Sequence, residues 1–417
     1  MSQQHNRTAV EESSAPRGRW FQFSLNRPRD EFLGWCLWLG MFVVLAVFFL
    51  PGNHRSVTVQ YHRAADYWMQ GKDIYFLTGR GFLYLPLAAV LFIPLHLLSP
   101  DAGELVWRVL TLGVFAAGVL RLCRLAEFRI PDRLFLIVTG VSIPLCCSAA
   151  RNGQSTLIMA GLMMLAMEQL TRKNWNATAV LLCLATAFKP LSLVLLLLLA
   201  ALYRPLLWRL ALGVCLLLLA PFLTQSPEYV VRQYSGCLEM LRAATKLGIE
   251  QPWAQLFGML QIGGVSLPAP VQTGLRMIAA LLTLFLAQAV RRAMPATRAA
   301  VYLYALAGCY LMLFNPRSEN NTYALVAPVL GIFCAEEFLI RKAHGRGALL
   351  ALLALGTVGS FEFGSFLLPD AEPVWLAPLM CLAFTGYLLT RMRAEACDWR
   401  TLGATDVETP APLARAA

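Results

Sequence analysis

Apolar residues along this chain of 417 come in long blocks rather than in alternation with polar ones. The first block runs from Phe32 to Leu50. Twelve more occupy residues 82–98, 104–121, 133–150, 154–171, 175–188, 190–204, 207–223, 270–290, 299–314, 323–340, 347–367 and 374–390. A membrane-crossing helix needs about 20 predominantly apolar residues, so the pattern predicts an all-α polytopic membrane protein. Proline interrupts several blocks, at Pro86, Pro94, Pro144 and Pro190, which membrane helices tolerate when neighbours satisfy the freed carbonyls. Block 82–98 is short and carries two of these prolines, so it is expected to be re-entrant or interfacial. That leaves about twelve spans.

The blocks divide the chain into a polar, disordered tail (1–31), a membrane domain (32–390) and a second tail (391–417). Phe32–Leu50 is long for a signal peptide core and is followed by Pro51-Gly52-Asn53, so it reads as a retained anchor helix. Two connecting segments, 52–81 and 224–269, are long enough to fold. In the first, Tyr61, Ala64, Ala65 and Trp68 fall on one helical face; in the second, Val230, Tyr234, Leu238 and Leu241 do so. Both are expected to be amphipathic helices at the membrane interface.

Composition sharpens this picture. Hydrophobic residues make up 58% and charged residues 14%, against about 25% charged in an ordinary soluble domain, so little remains for a water-soluble unit. The net charge of +11 would suggest nucleic acid in a soluble protein. Here the basic residues cluster between apolar blocks, so no nucleic-acid partner is expected and the lipid bilayer is. With the two tails and segments 121–133, 172–173, 204–209, 291–298 and 341–346 on one side, that side holds 23 of the 35 basic residues. The positive-inside rule makes it the cytoplasmic side, with both termini inside, in a plasma (inner) membrane. The eleven cysteines show no C-x-x-C or Cys/His spacing, so no metal site is expected.

The opposite side collects the polar candidates. Arg151-Asn152-Gly153-Gln154, Lys189-Pro190 and Asn315-Pro316-Arg317-Ser318-Glu319-Asn320-Asn321 each stand at the outer end of an apolar block. Charges there are costly unless they face a cavity. Lys189, Arg151 and Arg317 suit phosphate oxygens, although each is also placed to reach lipid headgroups. Asp66 and Asp73 are the carboxylates of the first outer loop and candidates for general base. Gln154, Glu319, Asn320 and Asn321 suit a hydroxyl-rich ligand, and Tyr61 and Tyr84 offer flat apolar surface beside a sugar or isoprenoid chain.

Taken in order, these motifs resemble a known family. Ala64, Ala65, Gly71, Asp73 and Tyr75 in the outer loop are followed by Tyr84 and Pro86, Gly153-Gln154, Lys189-Pro190 and the run Asn315 to Tyr323. The set resembles glycosyltransferase family 87, also known as DUF2029, which includes polyprenol-phosphate-mannose-dependent mannosyltransferases. The resemblance implies a GT-C bundle that inverts the anomeric carbon of a sugar carried on a polyprenyl phosphate. The sugar would be a mannose-like hexose and the acceptor a lipid or glycan on the non-cytoplasmic face, with no cofactor beyond the donor. Family members commonly carry an Asp where Val57 stands here. Either another carboxylate, Asp66 being nearest, takes its role, or the protein is a transporter, flippase or scaffold for lipid-linked saccharides.

Overall fold

The computed structural model describes residues 29–49, 56–76, 81–126, 131–250, 252–360 and 373–405. The expected tail up to residue 28, and the end of the chain from 406, lie outside them. Sixteen α-helices run through the described residues, with no strand among them. They are α1 (Arg29–Val44), α2 (Thr58–Met69), α3 (Pro86–His96), α4 (Pro100–Leu125), α5 (Pro131–Arg151), α6 (Thr156–Thr171), α7 (Trp175–Phe188) and α8 (Leu193–Leu202). The rest are α9 (Arg204–Leu219), α10 (Pro227–Glu250), α11 (Leu256–Ile262), α12 (Ala269–Ala293), α13 (Ala296–Phe314), α14 (Ala327–Ala335), α15 (His344–Gly359) and α16 (Leu376–Thr405). The last helix runs past residue 390, where the apolar pattern stops.

Six segments among the described residues are long and apolar enough to cross a bilayer: 29–47, α4, 133–151, 204–223, α12 and α13. The chain is an all-α polytopic membrane protein. Helix α3 has 11 residues, about 16 Å at 1.5 Å per residue. That is roughly half of a ~30 Å hydrocarbon core, so α3 cannot cross alone.

Helices α6, α13 and α14 form the centre and are buried on nearly every face. They lack a polar stripe, as helices surrounded by others do. At the periphery, α9 and α12 turn Leu207, Trp208, Leu212, Leu281 and Phe285 outward. Such a surface is tolerable only against acyl chains. Helices α4 and α6 meet through glycines: a Cβ added at Gly118 would lie 2.8 Å from the Gly161 carbonyl oxygen, and one added at Gly161 2.5 Å from that of Val114. Small residues permit this approach where burial in lipid supplies little attraction between helices.

The connecting helices pack onto one end of the bundle. Helix α2 buries Tyr61, Ala64, Ala65 and Trp68, the face that the sequence pattern picks out. Helix α10 is rotated from expectation. It buries Tyr229, Val230, Gln233, Cys237 and Met240, while Leu238 is 56% exposed. Two polar anchors set the rotation: Gln233 Oε1 accepts from the Ile74 N–H at 3.1 Å, and the Tyr229 hydroxyl donates to the Lys72 carbonyl at 2.6 Å.

Near this end a buried guanidinium ties three segments together. Arg108 on α4 is 1% exposed and pairs with Glu104 one turn earlier. It also donates to the Arg151 carbonyl at 2.9 Å and to Ser56 Oγ at 3.4 Å. Glu104 in turn accepts from the hydroxyls of Ser56 and Thr58. The opposite end has its own buried cluster. Arg298 of α13 bonds Glu336 (2.5 and 2.8 Å) and Glu395 of α16 (2.9 and 2.7 Å), and Arg391 bonds Glu395 at 2.5 Å. A π-helical turn at Glu336–Ile340 lets consecutive glutamates, Glu336 and Glu337, both face inward. Arg298 and Arg391 therefore tie helices together, a role their position in basic clusters does not reveal.

Two stability outcomes follow from this packing. Gly161→Val should overfill the α4–α6 crossing and destabilise by about 1–3 kcal/mol, seen as a lowered unfolding midpoint in detergent. Glu104→Gln should cost about 3–5 kcal/mol by leaving Arg108 buried without its carboxylate. The double variant Glu104→Leu/Arg108→Met should recover much of that loss in the same assay.

Candidate active site

The turn between α5 and α6 organises the site. Helix α5 ends at Arg151, and Gly153 takes a positive φ of 64°. A Cβ on Gly153 would meet Thr58 Cγ2 at 2.7 Å, so glycine is required both for the turn and for the approach of α2. The turn is held on two more sides: the Asn152 carbonyl accepts from the Val57 N–H at 2.9 Å, and the Gly153 carbonyl from Trp107 Nε1 at 2.8 Å.

The three residues that follow reach three different candidates. Gln154, 6% exposed, donates from Nε2 to Glu319 Oε2 at 3.4 Å. The Ser155 N–H donates to the Tyr61 hydroxyl at 3.4 Å. Thr156 Oγ1 accepts from Lys189 Nζ at 2.7 Å. Pro190 forces Lys189 out of the helical region, at φ −153° and ψ 118°; α7 thus ends at Phe188 and the ammonium turns toward α6. Tyr61 completes the group with a 2.8 Å contact to the Tyr84 hydroxyl and ring packing on Trp107, which also meets Phe188. Burial, reinforced by Tyr84, pushes the Tyr61 phenol well above its ordinary pKa, so it stays protonated and available as a donor.

The Asn315–Asn321 segment meets the turn at Glu319. Glu319 is half-buried and also accepts from Asn321 Nδ2 at 3.2 Å. Asn320 donates to the Ser360 carbonyl at 2.7 Å, joining the segment to the end of α15. The Arg317 guanidinium lies 4.6 Å above the Trp253 ring, and the Ala254 N–H donates to the Ser318 carbonyl at 2.9 Å. Arg151 stands beside the turn, with its side chain on Asn152 Oδ1 at 3.3 Å.

The two first-loop carboxylates have other contacts. Asp66 is partly exposed on α2, accepts from Gln70 Nε2 at 2.7 Å and lies 3.7 Å from His96 Nε2. Asp73 is exposed and caps the Tyr75 N–H at 2.9 Å. Next to Asp66, His62 sits 3.4 Å from His96, Nδ1 to Nδ1. Burial first, then the charge of His96, lowers the His62 pKa against the opposing pull of Glu104. Among the described residues no three His, Cys, Asp or Glu side chains are grouped to hold a metal ion.

Sequence reasoning missed Glu104, Arg108, Ser155, Thr156 and Trp253. A signal existed for the first two: a Glu and an Arg at i, i+4 spacing inside an apolar block predict a buried pair. Ser155 and Thr156 carry none, since small hydroxyl residues at a helix start are also ordinary capping residues.

No curated protein matches the sequence. Among solved structures, the crystal structure of ArnT from Cupriavidus metallidurans bound to undecaprenyl phosphate is 16% identical with a TM-score of 0.48, over 90% of this chain and 79% of that one. The apo state of the same protein is 15% identical with a TM-score of 0.42, over 88% of this chain and 78% of that one. Residues 82–316, more than half of the chain, match the model of glycosyltransferase family 87. That stretch contains Tyr84, the turn from Arg151 to Thr156, and Lys189. The chain belongs to glycosyltransferase family 87.

Proposed function

We propose that the protein is an integral-membrane glycosyltransferase that moves a mannose-like hexose from a polyprenyl-phosphate donor to a lipid or glycan acceptor, with inversion. The observation that carries this reading is the Gln154-Ser155-Thr156 run, which brings a carboxylate, a phenol and an ammonium to one turn. Of these, the transfer requires the carboxylate and the ammonium. Lys189 and Arg317 stabilise the negative charge that develops on the departing phosphate. The acceptor hydroxyl forms its bond to the anomeric carbon as the bond to the phosphate oxygen breaks; its proton passes to a carboxylate, and polyprenyl phosphate leaves with the electron pair. The reading follows the GT-C pattern, with the site on the non-cytoplasmic face and both termini in the cytoplasm.

Glu319 is the carboxylate that the geometry favours as base, because it alone among Asp66, Asp73 and Glu319 is bonded to the Lys189 turn through Gln154. Asp66 is the competitor, and Asp73 is occupied in capping the Tyr75 N–H. The neutral Val57 supports a second reading, in which the same polar groups bind a lipid-linked saccharide for transport without transfer.

The test is transfer of radiolabelled mannose from a synthetic polyprenyl-phosphate mannose by the purified chain in liposomes. Lys189→Ala should lower turnover by about 10²–10³-fold and Glu319→Gln by about 10²–10⁴-fold, both in folded protein. Asp66→Asn should stay within a few-fold of wild type. Wild-type turnover in both Lys189→Ala and Glu319→Gln would sink the assignment, and a collapse confined to Asp66→Asn would move the base to α2. Donor binding with no turnover in the wild type would favour the transport reading.

A further inference from the structure

At the end of the bundle opposite the Gln154–Thr156 turn, the corner between α8 and α9 and the last turns of α12 line an open cavity of about 870 Å³. Helix α8 packs against both α9 and α12, so it forms the floor between two helices whose outer faces are apolar. Leu281 and Phe285 line the cavity and are also exposed along α12, which opens it sideways toward the acyl-chain region. A water-soluble ligand has no use for such walls.

The polar side of the cavity has a specific chemistry. Arg204, the first residue of α9, is exposed at its mouth. Arg291 stands in the last turn of α12, where its guanidinium donates to the Leu202 carbonyl at 2.6 Å and lies 5.1 Å over the Tyr203 ring. Gln288, one turn earlier, has its Oε1 atom buried with no hydrogen-bond partner. A buried acceptor of this kind calls for a donor. Trp175 and Tyr203 pack together at the same level, ring centroids 6.0 Å apart, as aromatic side chains do at the headgroup boundary.

We propose that this groove holds one anionic phospholipid with a hydroxylated headgroup, of which phosphatidylglycerol is the simplest. Its phosphate lies between Arg204 and Arg291, a headgroup hydroxyl donates to Gln288 Oε1, and its chains run along the apolar faces of α9 and α12. Two arginines favour a headgroup of net negative charge over a zwitterionic one, whose own cation offsets its phosphate, and basic pockets between membrane helices select anionic lipids in this way. The site is independent of the transfer reaction, since it lies at the far ends of α7 and α12 from Lys189 and Arg317.

Native mass spectrometry of the full chain in detergent tests the site, with phosphatidylglycerol, phosphatidylcholine, phosphatidic acid and undecaprenyl phosphate added singly and in competition. Phosphatidylglycerol should bind more tightly than phosphatidylcholine. Arg204→Ala should weaken it about fivefold, whereas Arg204→Lys and a control at the exposed Arg341, Arg341→Ala, should retain it. Gln288→Leu should erase the preference for phosphatidylglycerol over phosphatidic acid, which lacks the added hydroxyls. Equal binding of phosphatidylcholine, no effect of Arg204→Ala, or an equal loss in Arg341→Ala would overturn the proposal. Displacement of phosphatidylglycerol by equimolar undecaprenyl phosphate would overturn it in favour of a carrier-lipid site.

Discussion

The candidate site depends on a guanidinium taken out of water. Arg108 lies within α4, almost fully buried, and the desolvation of such a charge is compensated only by a close set of acceptors. It has them in Glu104, Ser56 and the carbonyl of Arg151. That carbonyl closes α5, where the helix leaves backbone acceptors without partners and the dipole favours a cation. One side chain thus caps α5, fixes the start of α2 and sets where the Asn152–Gly153 turn begins. Residues 154, 155 and 156 take their directions from that turn, and each bonds one of Glu319, Tyr61 and Lys189.

The opposite end uses the same device with more charges. Arg298, Arg391, Glu336 and Glu395 join α13, the π-helical turn after α14 and α16. In water, apolar burial alone would hold three helices together. In lipid it supplies little attraction between them, so packing and polar pairs must provide the specificity. The glycine crossing of α4 on α6 supplies the first of these, and the two ion clusters supply the second at either end. A position such as Gly161 is therefore as decisive for the fold as any charged residue.

The positions of the helices are legible in the sequence because an apolar block of about twenty residues matches the length of a helix that crosses a bilayer. So is the buried face of α2, where Tyr61, Ala64, Ala65 and Trp68 repeat at helical spacing. The rotation of α10 is not, because Gln233 and Tyr229 set it through bonds to the backbone of Ile74 and Lys72, and a hydrophobic pattern carries no record of such partners. The basic clusters mislead in a related way. Counting them gives an expected orientation, but the count treats Arg298 and an exposed arginine alike, although one is buried between two glutamates. Within the site, Lys189, Gln154 and Tyr61 stand out by type and spacing, whereas the pairing of Gln154 with Glu319 spans 165 positions and exists only in the folded chain.

That long-range pairing bears on which carboxylate is free to act. Val57 leaves the start of α2 without a side-chain acid, yet a carboxylate is present beside it, since Ser56 and Thr58 both donate to Glu104. A carboxylate has about four acceptor positions. Glu104 spends them on two hydroxyls and the Arg108 guanidinium, and withdrawing it to accept a substrate proton would leave Arg108 buried without its counter-charge. Its place in the structure is therefore that of a tie rather than a base. Glu319 accepts from two neutral amides, at 3.4 and 3.2 Å, both long for bonds to a charged group. Exchanging either for a substrate hydroxyl would strand no buried ion, which supports the proposal of Glu319, rather than Glu104, as the base.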